Sequence, residues 1–274
     1  MRELGLFFQE TLKELQGFGV SKHDIVDLFT HTYGVDRLTI MVEPHRSVDE
    51  KKIIEATERL KNGEPLPYII GTVPFFGCEI KVTPSVLIPR QETELLVAFI
   101  LEETKKTSGL LVDLCTGSGC IGIALKKAHP PFDLILVDNS PEALAIAKEN
   151  CKENGVEATC LLGNFLDPLQ GQKIDLLVCN PPYITADEYE NLDKSVKNFE
   201  PKSALVAPNN GLFFYEKLAH ELPSLMDSGS ELYLEIGYQQ GISVPLLFSG
   251  SDWVGAKCHL DLASHPRFVS VLRR

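Results

Sequence analysis

The chain has 274 residues, enough for two domains and too few for three. With 44% apolar and 23% charged residues it is neither a disordered nor a fibrous protein. Its 26 Lys and Arg against 38 Asp and Glu leave a net charge of −12, which repels phosphate backbones and anionic lipid surfaces. Nucleic acid and membrane are therefore disfavoured partners. The seven cysteines, at 78, 115, 120, 151, 160, 179 and 258, form no C-x-x-C and no His/Cys pairing at zinc spacing. They are expected to be reduced thiols, with no metal. The N-terminus lacks a signal-peptide h-region, and no run of about 18 apolar residues occurs. A soluble cytoplasmic protein is expected.

Residues 1–67 read as a small helical bundle. Leu4, Phe7, Phe8, Leu12 and Leu15 recur at steps of three and four, and Gly17 and Gly19 end that helix. Ser21 is placed to cap a second helix, with Asp24 three residues on and Ile25, Leu28 and Phe29 facing inward. Ser47 opens a third candidate, with Ile53, Ile54, Thr57 and Leu60 on its apolar face, and Gly63 and Pro65 end it. From 68 to 89 β-branched and aromatic residues alternate with Gly and Pro, which predicts a β-hairpin linker. Residues 90–274 then alternate between periods. A helix is predicted over 92–103, strands over 110–114 and 132–138, a helix over 140–154, and strands over 158–163 and 174–180. A helix over about 212–226 and a strand over 231–237 complete the series. Strands spaced by helices predict an α/β, doubly wound, mostly parallel sheet.

Two strand ends carry the chemistry. The first is VDLCTGSGCIG, in which Gly117, Gly119 and Gly122 satisfy G-x-G-x-x-G after a strand and before a helix. Glycines there let the backbone approach a ligand. Alone this pattern serves NAD as well. Asp113, on the same strand, sits poorly beside a pyrophosphate and well beside a cationic sulfonium amino acid. Asp138 ends the next strand, 19 residues after Gly119, where a carboxylate accepts both hydroxyls of an adenosine ribose. The second strand end is Asn180-Pro181-Pro182-Tyr183, 63 residues after Gly117. Its prolines fix the backbone and remove two N–H donors. Asn180 offers an amide oxygen, a neighbouring carbonyl a second acceptor, and Tyr183 a flat ring. Together these form a receptor for a planar –NH2 group.

The sequence here resembles the class I methyltransferases that use S-adenosylmethionine, and within them the HemK/PrmC family of protein-(glutamine-N5) methyltransferases of peptide chain release factors. The resemblance rests on residues 64–71 (EPLPYIIG) and 89–94 (PRQETE), on DLCTGSG and NPPY, and on Phe199-Glu200-Pro201 with Ala204-Leu205. It spans nearly the whole chain. Cys115 stands where the family commonly has glycine, and Asn164-Phe165 where an acid and an aromatic residue are usual. The resemblance implies a Rossmann-like, seven-stranded methyltransferase sheet and a helical domain that recognises the substrate. It implies methylation of the glutamine of a Gly-Gly-Gln motif, with a release factor as partner and no direct nucleic acid contact. Thr116, Gly117, Gly119 and Asp138 would contact S-adenosylmethionine, with Phe165 near the adenine. The full candidate cofactor set is Asp113, Cys115, Thr116, Gly117, Ser118, Gly119, Asp138, Phe165 and Asn180. The candidate catalytic set is Asn180, Pro181, Pro182 and Tyr183.

No histidine is a candidate catalyst: His129 falls at a helix end, and His259 and His265 in an expected late loop. An adenine-N6 or guanine-N2 nucleic-acid methyltransferase could use the same Asn-Pro-Pro-Tyr pocket, because an exocyclic base amine is also a planar –NH2. Such an enzyme needs a basic surface, whereas residues 1–75 hold 9 Lys and Arg against 12 Asp and Glu. An NAD-dependent oxidoreductase remains a third reading, and it leaves Asn-Pro-Pro-Tyr unexplained.

Overall fold

The computed structural model describes residues 1–274 and divides into two compact units. The first comprises Met1–Thr72 together with Asp193–Phe199, the second Val73–Leu192 with Glu200–Arg274. The first unit therefore borrows a segment that lies just downstream of Asn-Pro-Pro-Tyr, which no composition shift announces.

In the first unit, β1 (Arg2–Glu3) leads into α1 (Leu4–Leu15), followed by α2 (Lys22–Tyr33) and α3 (Arg37–Val42). Then come β2 (Ser47–Val48), α4 (Lys51–Lys61) and α5 (Leu66–Ile70). Ser21 caps α2 through a full capping box: its hydroxyl accepts from the Asp24 amide at 3.1 Å and Asp24 accepts from the Ser21 amide at 3.0 Å. Leu4, Phe7, Phe8, Leu15, Ile25, Leu28, Phe29, Ile53 and Leu60 form one core. Phe8 meets Phe29 edge to face, with ring centroids 5.2 Å apart. Ser47 does not start a helix. It pairs with Glu3 in a short antiparallel bridge, and the helix begins at Lys51. Helix α5 runs across the position between 67 and 68 at which the sequence divides most naturally.

The second unit opens with the hairpin β3 (Thr72–Phe75) and β4 (Cys78–Lys81). There follow α6 (Gln91–Glu103), β5 (Gly109–Leu114), α7 (Cys120–Ala128), β6 (Phe132–Asp138), α8 (Pro141–Glu153), β7 (Thr159–Leu162) and β8 (Ile174–Cys179). The chain continues through α9 (Ala186–Glu190), α10 (Lys194–Phe199, part of the first unit), α11 (Phe213–Glu221), β9 (Met226–Glu235) and α12 (Ser243–Leu247). It ends in β10 (Trp253–Leu260) and β11 (Pro266–Arg273). The seven-stranded sheet has the order β10-β11-β9-β8-β5-β6-β7. Its strands β9, β8, β5, β6 and β7 are parallel neighbours, and β11 runs antiparallel to β9 and to β10.

The apolar runs of β5, β6 and β8 follow from burial on both faces. Val112, Leu114, Leu177, Cys179 and Leu234 join Tyr215, Leu218 and Val244 of α11 and α12 in one core. On the opposite face, a Cβ on Gly122 of α7 would lie 2.6 Å from Leu136 and 2.9 Å from Asp113. Gly122 thus serves close packing of helix on strand. The same alternation turns Asp113 toward α7.

Two further expectations need correction. The helix expected over 212–226 ends at Glu221, and after one 3-10 turn β9 already begins at Met226. The hairpin β10–β11 has no clear alternation, because β10 is largely exposed and β11 has a mixed burial pattern. His259 accordingly lies in β10, where it pairs with Phe268, rather than in a loop. No helix is long and apolar enough to cross a membrane.

Candidate active site

After β5 the chain goes to β6 and then β7 on one side, and afterwards to β8 on the other. The carboxyl ends of β5 and β8 therefore flank the point at which strand order reverses, where open α/β sheets bind ligands. Leu114 pairs with Cys179 and Leu114 with Val137, so Cys115, Asn180 and Asp138 leave three adjacent strands at the same edge. An open cleft lies at this edge, lined from all three strand ends, as a small-molecule ligand requires. Cys115, Thr116, Gly117, Ser118, Asp138, Phe165, Asn180 and Pro182 all line it. Asp113, Gly119, Pro181 and Tyr183 do not.

Buried carboxylates and backbone amides shape the turn after β5. The Thr116 amide donates to the Val137 carbonyl (2.9 Å) and the Gly119 amide to the Thr116 carbonyl (2.8 Å). Asp113 Oδ2 accepts from the Thr116 hydroxyl at 2.7 Å and from the Gly122 amide at 2.9 Å. Its Oδ1 is the single buried side-chain polar atom without a partner. Burial pushes the Asp113 carboxyl up to about 7, against the two hydrogen bonds that pull it down. Asp113 thus braces the turn from beneath and does not itself line the cleft. Asp138 accepts from the Gly117 amide on Oδ2 (2.8 Å) and from the Ser140 amide on Oδ1 (3.0 Å). Each oxygen keeps a lone pair for a ligand hydroxyl.

Cys115 has φ +60° and Phe165 φ +55°, both in the left-handed region. A glycine in place of Cys115 would relieve that strain at the first position. At the second, the turn presents the Phe165 ring to the cleft, 5.1 Å from that of Phe214. Val137, Ala143 and this aromatic pair supply apolar lining to the same cleft as Asp138. That lining, a carboxylate with free lone pairs and the open backbone at Gly117 fit an adenosine-type cofactor.

Across the cleft, Asn180 and Pro182 form the wall while Tyr183 is clamped behind them. The Tyr183 carbonyl accepts from Gln240 Nε2 at 3.4 Å, which also reaches the Gly211 carbonyl at 3.2 Å. Gln240 Oε1 accepts from the Gly237 amide at 2.9 Å. The Tyr183 hydroxyl makes a long contact, 3.4 Å, to Glu235 Oε1. Glu235 Oε2 accepts from the Thr93 hydroxyl at 2.8 Å, and Thr93 lines the cleft. Burial pushes the Glu235 carboxyl up to about 7 and raises the Tyr183 phenol as well. A Cβ on Gly211 would stand 2.1 Å from the Tyr183 carbonyl oxygen, and one on Gly237 3.3 Å from the Tyr183 ring. Glu235, Gln240, Gly211 and Thr93 were not apparent from the sequence. The one signal was the acid that closes the strand after the apolar run Leu232-Tyr233-Leu234, Glu235 in ELYLEIG. Two motifs of the sequence also meet: Arg90 pairs with buried Glu200, which accepts in addition from the Ile88 amide at 3.3 Å. Pro89 and Pro201, beside them, line the cleft.

Comparison with known proteins decides the family. A release factor glutamine methyltransferase of Enterococcus faecalis is 37% identical over 259 residues, which is 93% of this chain and 94% of that protein. The chain belongs to the release factor glutamine methyltransferase family. The family member of Chlamydia trachomatis serovar L2 is 44% identical over 206 residues, 74% of this chain and 70% of its own. A Methyltransferase small domain model matches residues 91–203 and a PrmC N-terminal domain model residues 8–71. Among solved structures, a methyltransferase from Pyrococcus furiosus overlays with a TM-score of 0.56 at 13% identity. It covers 82% of this chain and 96% of its own, a likeness of fold alone. In this chain's sheet, the glycine turn and Asn-Pro-Pro-Tyr flank the switch point.

Proposed function

We propose that this chain transfers the methyl group of S-adenosylmethionine to the side-chain amide nitrogen of the glutamine in the Gly-Gly-Gln motif of peptide chain release factors. The observation that carries this reading is the match to a release factor glutamine methyltransferase over 93% of the chain. The opposition of Asn180 and Pro182 to the glycine turn across one cleft supports it. S-adenosylmethionine, when bound, supplies a methyl carbon already activated by its sulfonium.

The protein's task is alignment. Asp138 would accept the ribose hydroxyls, the apolar lining at Phe165 would take the adenine, and residues 115–119 would follow the ligand with backbone atoms. An amide nitrogen is a poor nucleophile because its lone pair is delocalised into the carbonyl. The Asn180 side-chain oxygen would take one hydrogen of the –NH2 and a neighbouring backbone carbonyl the other, which turns its π face toward the methyl. Their pull grows as positive charge develops on nitrogen, which is selective stabilisation of the transition state. Holding the two reactants in line contributes up to roughly 7–11 kcal/mol. Pro182 and the Tyr183 ring would exclude water from the acceptor side, and the proton leaves to solvent after transfer. The helical unit, matched over 8–71 by the PrmC N-terminal model, would grip the release factor.

A net charge of −12 favours a protein amide over a nucleobase amine as acceptor. The test is transfer of labelled methyl from S-adenosylmethionine to a release factor with its Gly-Gly-Gln glutamine intact or replaced by alanine. Label should enter the first and be absent from the second. Label that persists without the glutamine overturns the acceptor.

A further inference from the structure

Two asparagines on α8 are spent on a strand edge. Asn154, at the C-terminal end of the helix, accepts from the Glu79 amide at 3.2 Å and donates to the Glu79 carbonyl at 2.8 Å. One turn earlier, Asn150 accepts from the Lys81 amide at 2.7 Å and donates to the Lys81 carbonyl at 3.0 Å. Glu79 and Lys81 are two apart on β4, so both present N–H and C=O on the same edge. The two carboxamides therefore stand in for a neighbouring strand. An ion pair between Lys81 and Glu149 lies beside them.

Asn150 differs from Asn154 in one respect. Its second Nδ2 hydrogen goes to the Ser118 carbonyl at 2.8 Å, and the residue is fully buried. Ser118 lies between Gly117 at φ +54° and Gly119 at φ +82°. Glycines on both sides leave the intervening peptide groups little intrinsic preference, so their orientation depends on bonds from outside the turn. Asp113 supplies such bonds at Thr116 and Gly122, Asp138 at Gly117, and Asn150 at Ser118.

We propose that Asn150 is a positioning residue for the glycine turn, and that through its three hydrogen bonds the hairpin β3–β4 and the cofactor end of the cleft are held as one piece. This rests on the reading that the glycine turn receives S-adenosylmethionine. Asn150 does not line the cleft; it acts by fixing the Ser118 carbonyl, so that the turn meets the ligand already ordered. Ordering of the turn by ligand should in return tighten the grip on β4, because coupling between two sites is reciprocal.

The test compares the affinity for S-adenosylmethionine, by calorimetry, of Asn150→Asp, Asn154→Ala and Asp138→Ala in the full chain. Asn150→Asp keeps the acceptor for the Lys81 amide and removes both donors. It should weaken binding about ten-fold or more, whereas Asn154→Ala, which loses its hairpin bonds and one to the Asn150 carbonyl but none to the glycine turn, should stay within about two-fold. Equal weakening in both, or none in Asn150→Asp, overturns the proposal. Should Asn150→Asp fail to fold, amide exchange in the unaltered protein decides. The Lys81 amide should exchange more slowly when S-adenosylmethionine saturates the site, and unchanged exchange overturns the coupling. Unimpaired binding in Asp138→Ala would instead refute the reading of the cleft, so the two failures are distinguishable.

Discussion

The two strand ends that face each other across the cleft are built by different means. At the end of β5 the chain is held by polar bonds: Asp113, Asp138 and Asn150 each take or give hydrogen bonds to the backbone of residues 116–122. At the end of β8 it is held by covalent stiffness and by crowding: two prolines in succession, Gly211 pressed against the Tyr183 carbonyl with no room for a side chain, and Gly237 close to the Tyr183 ring. The first is a lattice of amides suited to meeting a polar nucleoside. The second is a rigid wall suited to setting the angle of one small planar group. Cofactor affinity and transfer rate should accordingly be separable by substitution.

The sharpest break of that division is Gly211→Ala. Its Cβ would collide with the Tyr183 carbonyl, at a φ of +79° that alanine tolerates poorly. Displacing Asn-Pro-Pro-Tyr should cost on the order of 100-fold or more in transfer rate, while affinity for S-adenosylmethionine, measured by calorimetry, stays near that of the unaltered protein. A parallel loss of affinity would mean that the two ends are not independent. Asp138→Ala strikes the other end. Removing charge-assisted hydrogen bonds should weaken S-adenosylmethionine roughly 10- to 100-fold, and transfer at saturating cofactor should largely recover.

A smaller effect concerns Glu235, which ties the Tyr183 wall to Thr93. Burial raises its carboxyl from 4.5 to about 7, so between those values the folded protein holds a proton that the unfolded chain has released. Stability contributed in this way is present below about pH 4.5 and is lost as pH rises through 7. Glu235→Gln should flatten that decline in a denaturant titration run from pH 4.5 to 8, and an unchanged slope would show that Glu235 does not titrate there. Asp113, raised in the same direction, should leave part of the decline in place.

The contrast between the ends also explains what could be read from the sequence. The glycine turn, Asp138 and Asn-Pro-Pro-Tyr are local patterns at the ends of apolar strands, and the strands over 109–114, 132–138 and 174–179 follow directly from continuous apolar runs. Asp113 was legible as a residue of the turn but not in direction, because strand alternation points it at Gly122 rather than into the cleft. The partners of Tyr183 come from residues 211, 235, 237 and 240, and no local period links them to 183. The pair Arg90–Glu200 spans 110 positions for the same reason. Strands β10 and β11 carry no clean alternation in the sequence: β10 is a largely exposed edge strand, and β11, between β10 and β9, has a mixed burial pattern.

The most direct measurement is made on Asn180→Ala, with S-adenosylmethionine affinity by calorimetry and methyl transfer to a release factor followed on the same preparation. Asn180 is the side chain assigned to orient the acceptor amide, so transfer should fall to background while the protein stays folded and binds cofactor within about ten-fold of the unaltered chain. Full activity in Asn180→Ala would contradict the assignment of the acceptor site.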